Sequence, residues 1–193
     1  MLDHLDRIEA TLRGLPPGAA FGYAVSCAER QYPVYERASQ GAAWGRPALM
    51  RSCLDSLWAW LIRGTPLPPD LPDRSSQMVF NNDHTRAFDW MAFDITNAFN
   101  DFVSGVPDDV SGCHLPGQIS LEIIDSFLSD AWDPTPGDGS DALVDNHPLT
   151  QTEMDLQSDS IAILAGSPSR EGISRVRAMS AGQPVLGSMW YPL

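Results

Sequence analysis

Leu49, Met50, Cys53, Leu54, Leu57, Trp58, Leu61 and Ile62 recur at the three- and four-residue spacings of one helical face. This is the most regular apolar stripe in the chain, and a stripe so wide must be buried against other elements. Pro47 suits the first helical position, where its missing N–H leaves nothing unsatisfied. Gly64 stands where a left-handed C-terminal cap would fall. A buried Leu or Trp contributes about 1.5–3 kcal/mol relative to exposure, so this helix is expected to be central to the core.

The remaining segments also read as helices. A first helix is expected over about 2–13, with Leu2, Leu5, Ile8 and Leu12 on one face, ended by Gly14 and Pro16-Pro17. A second carries Ala20, Phe21, Ala24, Val25 and Ala28, and Pro33 is expected to end or kink it. Residues 64–77 hold Pro66, Pro68, Pro69 and Pro72 and read as an extended surface link. A long helix should start near an Asp83 cap and bury Phe88, Met91, Ala92, Ile95, Ala98, Phe99, Phe102 and Val103 before stopping at Gly105 and Pro107. Another is expected near 117–132, with Ile119, Ile123, Ile124, Phe127, Leu128 and Ala131 inward. The acidic run 133–147 reads as a loop. A helix over about 148–165 with Leu149, Leu156, Ile163 and Leu164 follows, then a short one to about Ala181. The apolar tail Gln183–Leu193 is expected to pack back onto the body. No fixed-period repeat and no sustained strand alternation is present. The expected fold is all-α: one domain over 1–193, an irregular bundle of about six or seven helices.

Charge narrows the functional classes. The net charge is −13, and all twelve basic residues are arginine. Without lysine, Schiff-base chemistry has no nucleophile. Direct nucleic-acid binding needs a cationic face and is not expected. A basic protein partner fits, because a field of this sign speeds encounter with positive surfaces. The N-terminus lacks the apolar segment of a signal peptide, and no run of about 18 apolar residues exists. A cytoplasmic protein with no membrane span is the expectation. Cys27, Cys53 and Cys113 are widely spaced with no Cys-x-x-Cys, which reads as buried reduced thiols.

Glu29 and Arg30 are the charged pair of the second helix. They read either as a general base or ligand site, or as a polar network fixing the crossing of the first helices. Glu122 with Asp125, and Asp94 with Asp101, share helix faces, but a helical di-metal site wants Glu-x-x-His repeats, and none occurs. His4, His84, His114 and His147 lie mostly at helix starts or in links and read as helix-start or ordinary solvated side chains. Zinc at Cys113-His114 has no informative spacing behind it. Nucleophile-elbow, phosphate-loop and dinucleotide signatures are missing. No catalytic residue, metal or cofactor is assigned. Asp133, Asp138, Asp141 and Asp145 are the expected docking carboxylates, and Trp44, beside Gly45, is the candidate recognition aromatic.

The string Cys27-Ala28-Glu29-Arg30 with Pro33 and Tyr35, followed by a helix running Cys53-Leu54-Asp55-Ser56-Leu57-Trp58, resembles the domain of unknown function 416 family. The segment from Asp94 to Gly105 extends the resemblance, as do Pro148-Leu149, Glu153-Met154 and Gln157, in the same order over most of the chain. The resemblance implies an all-helical single domain and brings no agreed catalytic residues. The functional expectation is a non-enzymatic acidic protein-binding module, such as an immunity or regulatory protein for a basic partner. The alternatives are a metal- or small-molecule-dependent enzyme with a polar site between helices, or a structural scaffold.

Overall fold

The computed structural model describes residues 1–40, 45–79, 89–132 and 140–182. They form α1 (Leu2–Leu12), α2 (Pro17–Ser39), α3 (Pro47–Arg63), α4 (Leu71–Ser76), α5 (Asp89–Gly105), α6 (Leu115–Trp132), α7 (Ser140–Asp145), α8 (Pro148–Gly166) and α9 (Arg170–Gly182), with a 3-10 turn, Ser111–His114, before α6. The fold is all-α, with no strand among the described residues. Its helix number exceeds the expected six or seven because two short helices, α4 and α7, lie where the sequence reads as links. No described helix is long and apolar enough to cross a membrane.

Helix α2 is the axle. It packs against α3, α5, α6, α8 and α9. Ala19, Ala20, Ala24 and Ala28 are buried and let neighbours approach, while Phe21, Tyr23, Val25, Val34 and Tyr35 fill the space between them. Pro33 lies inside this helix and does not end it, against expectation. Proline removes the bond that its N–H would give the Glu29 carbonyl, at about 3 kcal/mol in a helix interior. Arg30 and Gln31 before it and Val34 and Tyr35 after it are all buried. Tertiary packing on both sides therefore outweighs the local penalty.

Helix α3 matches its sequence pattern. Met50, Cys53, Leu54, Leu57, Trp58 and Leu61 are buried, Pro47 opens the helix, and Gly64 caps it at φ 71° and ψ 20° in the left-handed region. The stripe of α5 is buried as expected from Met91 to Val103. The expected Asp83 cap and Phe88 lie outside the described residues. In α6, Ile123, Ile124 and Leu128 are buried and Ile119 and Phe127 half-buried.

Three local readings are corrected. Residues 64–77 are not wholly extended: α4 forms because Leu71 and Ser75 are buried, and Ser75 Oγ reaches Asn100 Oδ1 of α5 at 2.9 Å. Residues 133–147 are not wholly a loop, since α7 occupies 140–145. On α1 the inward face is His4, Ile8 and Leu12, while Leu2 is 76% exposed. The expected packing of the tail from Gln183 lies outside the described residues.

Candidate functional site

Helix α8 buries a polar stripe. Thr150, Glu153, Gln157 and Ser160 follow the spacing of one helical face, and all are fully buried. Glu153 and Gln157 meet Arg30 and Tyr23 of α2. Arg30 and Glu153 side chains both have 0% exposure. Arg30 Nε donates to Glu153 Oε2 at 3.0 Å and Nη2 to Oε1 at 2.7 Å, a two-bond fork. Its remaining donors reach the Ser26 carbonyl at 3.2 Å and Cys27 Sγ at 3.3 Å. Gln157 continues the network. Its Nε2 donates to Glu153 Oε1 at 3.0 Å and to the Gly117 carbonyl at 2.9 Å. Its Oε1 accepts from Tyr23 Oη at 3.2 Å and lies 3.1 Å from His4 Nε2. Residue 117 must be glycine for this approach, because a Cβ there would stand 2.2 Å from Tyr23 Oη. One seam thus joins α1, α2, α6 and α8.

The seam's electrostatics follow from burial. Desolvation alone would lower the Arg30 pKa, but Glu153 outweighs it, and the guanidinium is held more firmly charged than in water. Burial pushes the Tyr23 phenol well up and the Cys27 thiol up, so neither is an activated nucleophile at neutral pH. The reading of His4 as a solvated side chain is corrected: it is 4% exposed. Its pKa is lowered, first by desolvation, with the Gln157 bond and Glu153 opposing and Arg7 and the Met1 ammonium assisting. The unfolded chain therefore binds this proton more readily, and stability must fall as pH drops below about 6.5. We expect stability to decline as pH falls through the window between that value and the carboxylate range. Urea unfolding across that window, with His4→Gln removing the slope, checks it. An equal slope in both proteins would exclude His4 as the cause.

Glu29 and Arg30 do not pair with each other. Adjacent helical residues point about 100° apart, so Glu29 faces α3 while Arg30 faces α8. Glu29 receives both terminal nitrogens of Arg51, one at 2.9 Å, and the indole Nε1 of Trp58 at 3.0 Å. Arg51 also donates to Asp55 at 2.9 Å and lies over the Tyr32 ring, its guanidinium carbon 5.4 Å from the centroid. Arg177 of α9 lies over Trp58 at 5.8 Å and 3.9 Å from Asp55. A partly exposed ionic lattice therefore ties α2 and α3 to α9. The sequence singles out Glu29 and Arg30 but not Arg51 or Glu153 as their partners, nor Gln157 and His4 as the continuation of the seam.

Trp44, Asp133 and Asp138 lie outside the described residues. Asp141 falls in α7, and Asp145, ending the same helix, accepts from the Met1 ammonium at 2.9 Å with 41% of its side chain exposed. His147 caps α8 by accepting from Leu149 N at 3.2 Å, a helix-start histidine as expected. All three cysteines are free and buried. Burial raises the Cys53 pKa and takes Cys113 up to about 12. No cluster of three or more His, Cys, Asp or Glu side chains among the described residues is placed to hold a metal.

An all-helical domain built around a central helix, with a closed Arg–Glu–Gln seam on one side and an arginine–carboxylate lattice on the other, defines the class. The chain belongs to the DUF416 family, described as a protein of unknown function, which it matches over residues 7–185. Two of the stretches that carry the resemblance, 27–30 and 153–157, meet in the seam. The crystal structure of a DUF416 family protein from Shewanella baltica OS155 is similar, with a TM-score of 0.79 and 17% identity, over 90% of this chain and 93% of that one. That likeness speaks for the fold. No curated protein matches the sequence.

Proposed function

We propose that this chain is a non-catalytic binding module whose acidic surface engages a basic protein partner, an immunity or regulatory protein being its concrete form. The observation that supports this reading is a set of uncompensated carboxylates around α1. Asp3 and Asp6 on α1, and Asp108 in the α5–α6 connection, are exposed and enter no ion pair among the described residues. Asp6 lies one turn from Glu9, and Glu9 and Arg13 line a shallow pocket with Asp109 and His114. The Asp145 contact with Met1 brings the end of α7 to the same region. A carboxylate field of this kind raises association rate more than affinity.

The test begins with affinity capture and mass spectrometry to obtain the partner. Association is then followed by stopped flow for two charge-neutral variants. One carries Asn at Asp3, Asp6 and Asp108, and the other Asn at Asp133, Asp138 and Asp141. The variant at Asp3, Asp6 and Asp108 should fold, since those side chains are exposed and exposed charges contribute about 0–1 kcal/mol each; a melting curve checks the fold of the other. At least one should associate several-fold more slowly at low salt, and the difference should vanish towards 1 M salt, where the screening length is about 3 Å. Wild-type association rates for both variants at low salt would reject the acidic face as the docking surface.

A further inference from the structure

The arginines are not spread evenly. Arg51, Arg63, Arg74, Arg170 and Arg177 gather around α3, in a chain with twelve basic residues and a net charge of −13. On the outer face of this helix lies a cleft of about 460 Å³, within the range of small-molecule sites. Arg51, Ser52, Asp55, Ser56, Arg63 and Thr65 line it, and Pro66 and Pro68 wall one side. Prolines hold their segment in a restricted backbone geometry, so this wall keeps its shape.

The charges divide into two groups. Arg51 is consumed by Glu29 and Asp55, and Arg177 shares Asp55. Arg63, Arg74 and Arg170 enter no ion pair among the described residues. Arg63 is exposed and lines the cleft. The Arg170 guanidinium covers Gly64, next in sequence to both Arg63 and Thr65, at 2.6 Å from where a Cβ would stand. Arg74 Nη2 donates to Ser52 Oγ at 2.6 Å. That hydroxyl accepts from arginine, so its own proton is free to donate. Thr65 supplies another hydroxyl at the other end of the cleft, two residues from Arg63. Unpaired guanidinium forks beside hydroxyl donors are the chemistry that recognises phosphate and carboxylate oxygens.

We infer that the α3 cleft binds the oxyanion head of a small molecule, a phosphate or a carboxylate group, with Arg63 as its principal cation. This goes beyond the protein-binding reading and does not depend on it. The site is on the opposite electrostatic footing from the acidic face around α1, and one molecule carries both.

Inorganic phosphate, pyrophosphate and citrate test the inference when titrated at low ionic strength into wild type, Arg63→Gln and Arg7→Gln. Tryptophan fluorescence reads binding, because Trp58 and Trp60 lie on the same helix. At least one probe should give a saturable change. It should weaken about tenfold in Arg63→Gln, as loss of one charge-assisted bond implies, and be unaltered in Arg7→Gln on α1. Pyrophosphate binding more tightly than citrate assigns a phosphoryl ligand, and the reverse order assigns a carboxylate ligand. No saturable response to any of the three probes overturns the inference. So does equal affinity in wild type and Arg63→Gln, with an unchanged melting temperature showing that the variant is folded.

Discussion

Glu153→Ala is expected to lower stability by about 3–5 kcal/mol, the largest loss of any single polar substitution here. The arithmetic is that of a buried charge stripped of its partner. Arg30 and Glu153 are both fully buried, and a guanidinium left alone there keeps its desolvation cost and loses its compensation. Glu153 Oε1 also accepts from Gln157, so Gln157 Nε2 would lose one of its two acceptors. For a domain of this length the loss corresponds to about 6–20 °C in melting temperature, measurable by calorimetry. The double variant Arg30→Met with Glu153→Leu is expected to recover much of the loss, since apolar replacement of a whole buried pair is often neutral or better. A Glu153→Ala protein within about 0.5 kcal/mol of wild type, the usual surface range, would show that the seam is open to water.

Leu57→Ala is the second large effect, at about 2–5 kcal/mol. Leu57 is fully buried, at the middle of the α3 face that meets α2. It belongs to the same buried cluster as Leu54, Trp58 and Phe21, whose close packing limits collapse into the space left behind. The cost therefore includes a cavity as well as lost transfer energy. Guanidinium unfolding with an unchanged m-value would assign the loss to the native core. A change within the surface range would move this helix out of the centre.

Why α3 and α5 could be read from sequence while the seam could not is a matter of ambiguity in pattern. Each of the first two has one apolar stripe and no rival. Helix α8 has two polar stripes beside its apolar residues: Gln151, Thr152, Asp155, Ser158 and Asp159 face solvent, while Thr150, Glu153, Gln157 and Ser160 face the core. Periodicity cannot say which polar stripe is buried, and the partner that decides it, Arg30, is 123 residues away. His4 was hidden for the same reason, since its bond to Gln157 spans 153 residues. Pro33 misled because its local rule is real and was outweighed by burial on both sides. Helices α4 and α7 are too short for a period to register. Glu29 and Arg30 were legible as a polar pair, but their separate directions depend on where α3 and α8 come to lie.

Those separate directions restrict how this molecule can change in length. Glu29 and Arg30 are consecutive, yet each closes a different interface, and the apolar face from Ala19 to Ala28 is phased to both. One residue inserted into α2 between Ser26 and Arg30 would turn everything upstream by about 100°. Tyr23 and Ser26 would leave the seam, and the alanines that admit neighbouring helices would point elsewhere. A matching shift in α3 or α8 alone could not restore both interfaces. Insertions and deletions in this architecture therefore belong in its connections, and the 23 residues of α2 act as a ruler of fixed length against which the rest of the chain is set.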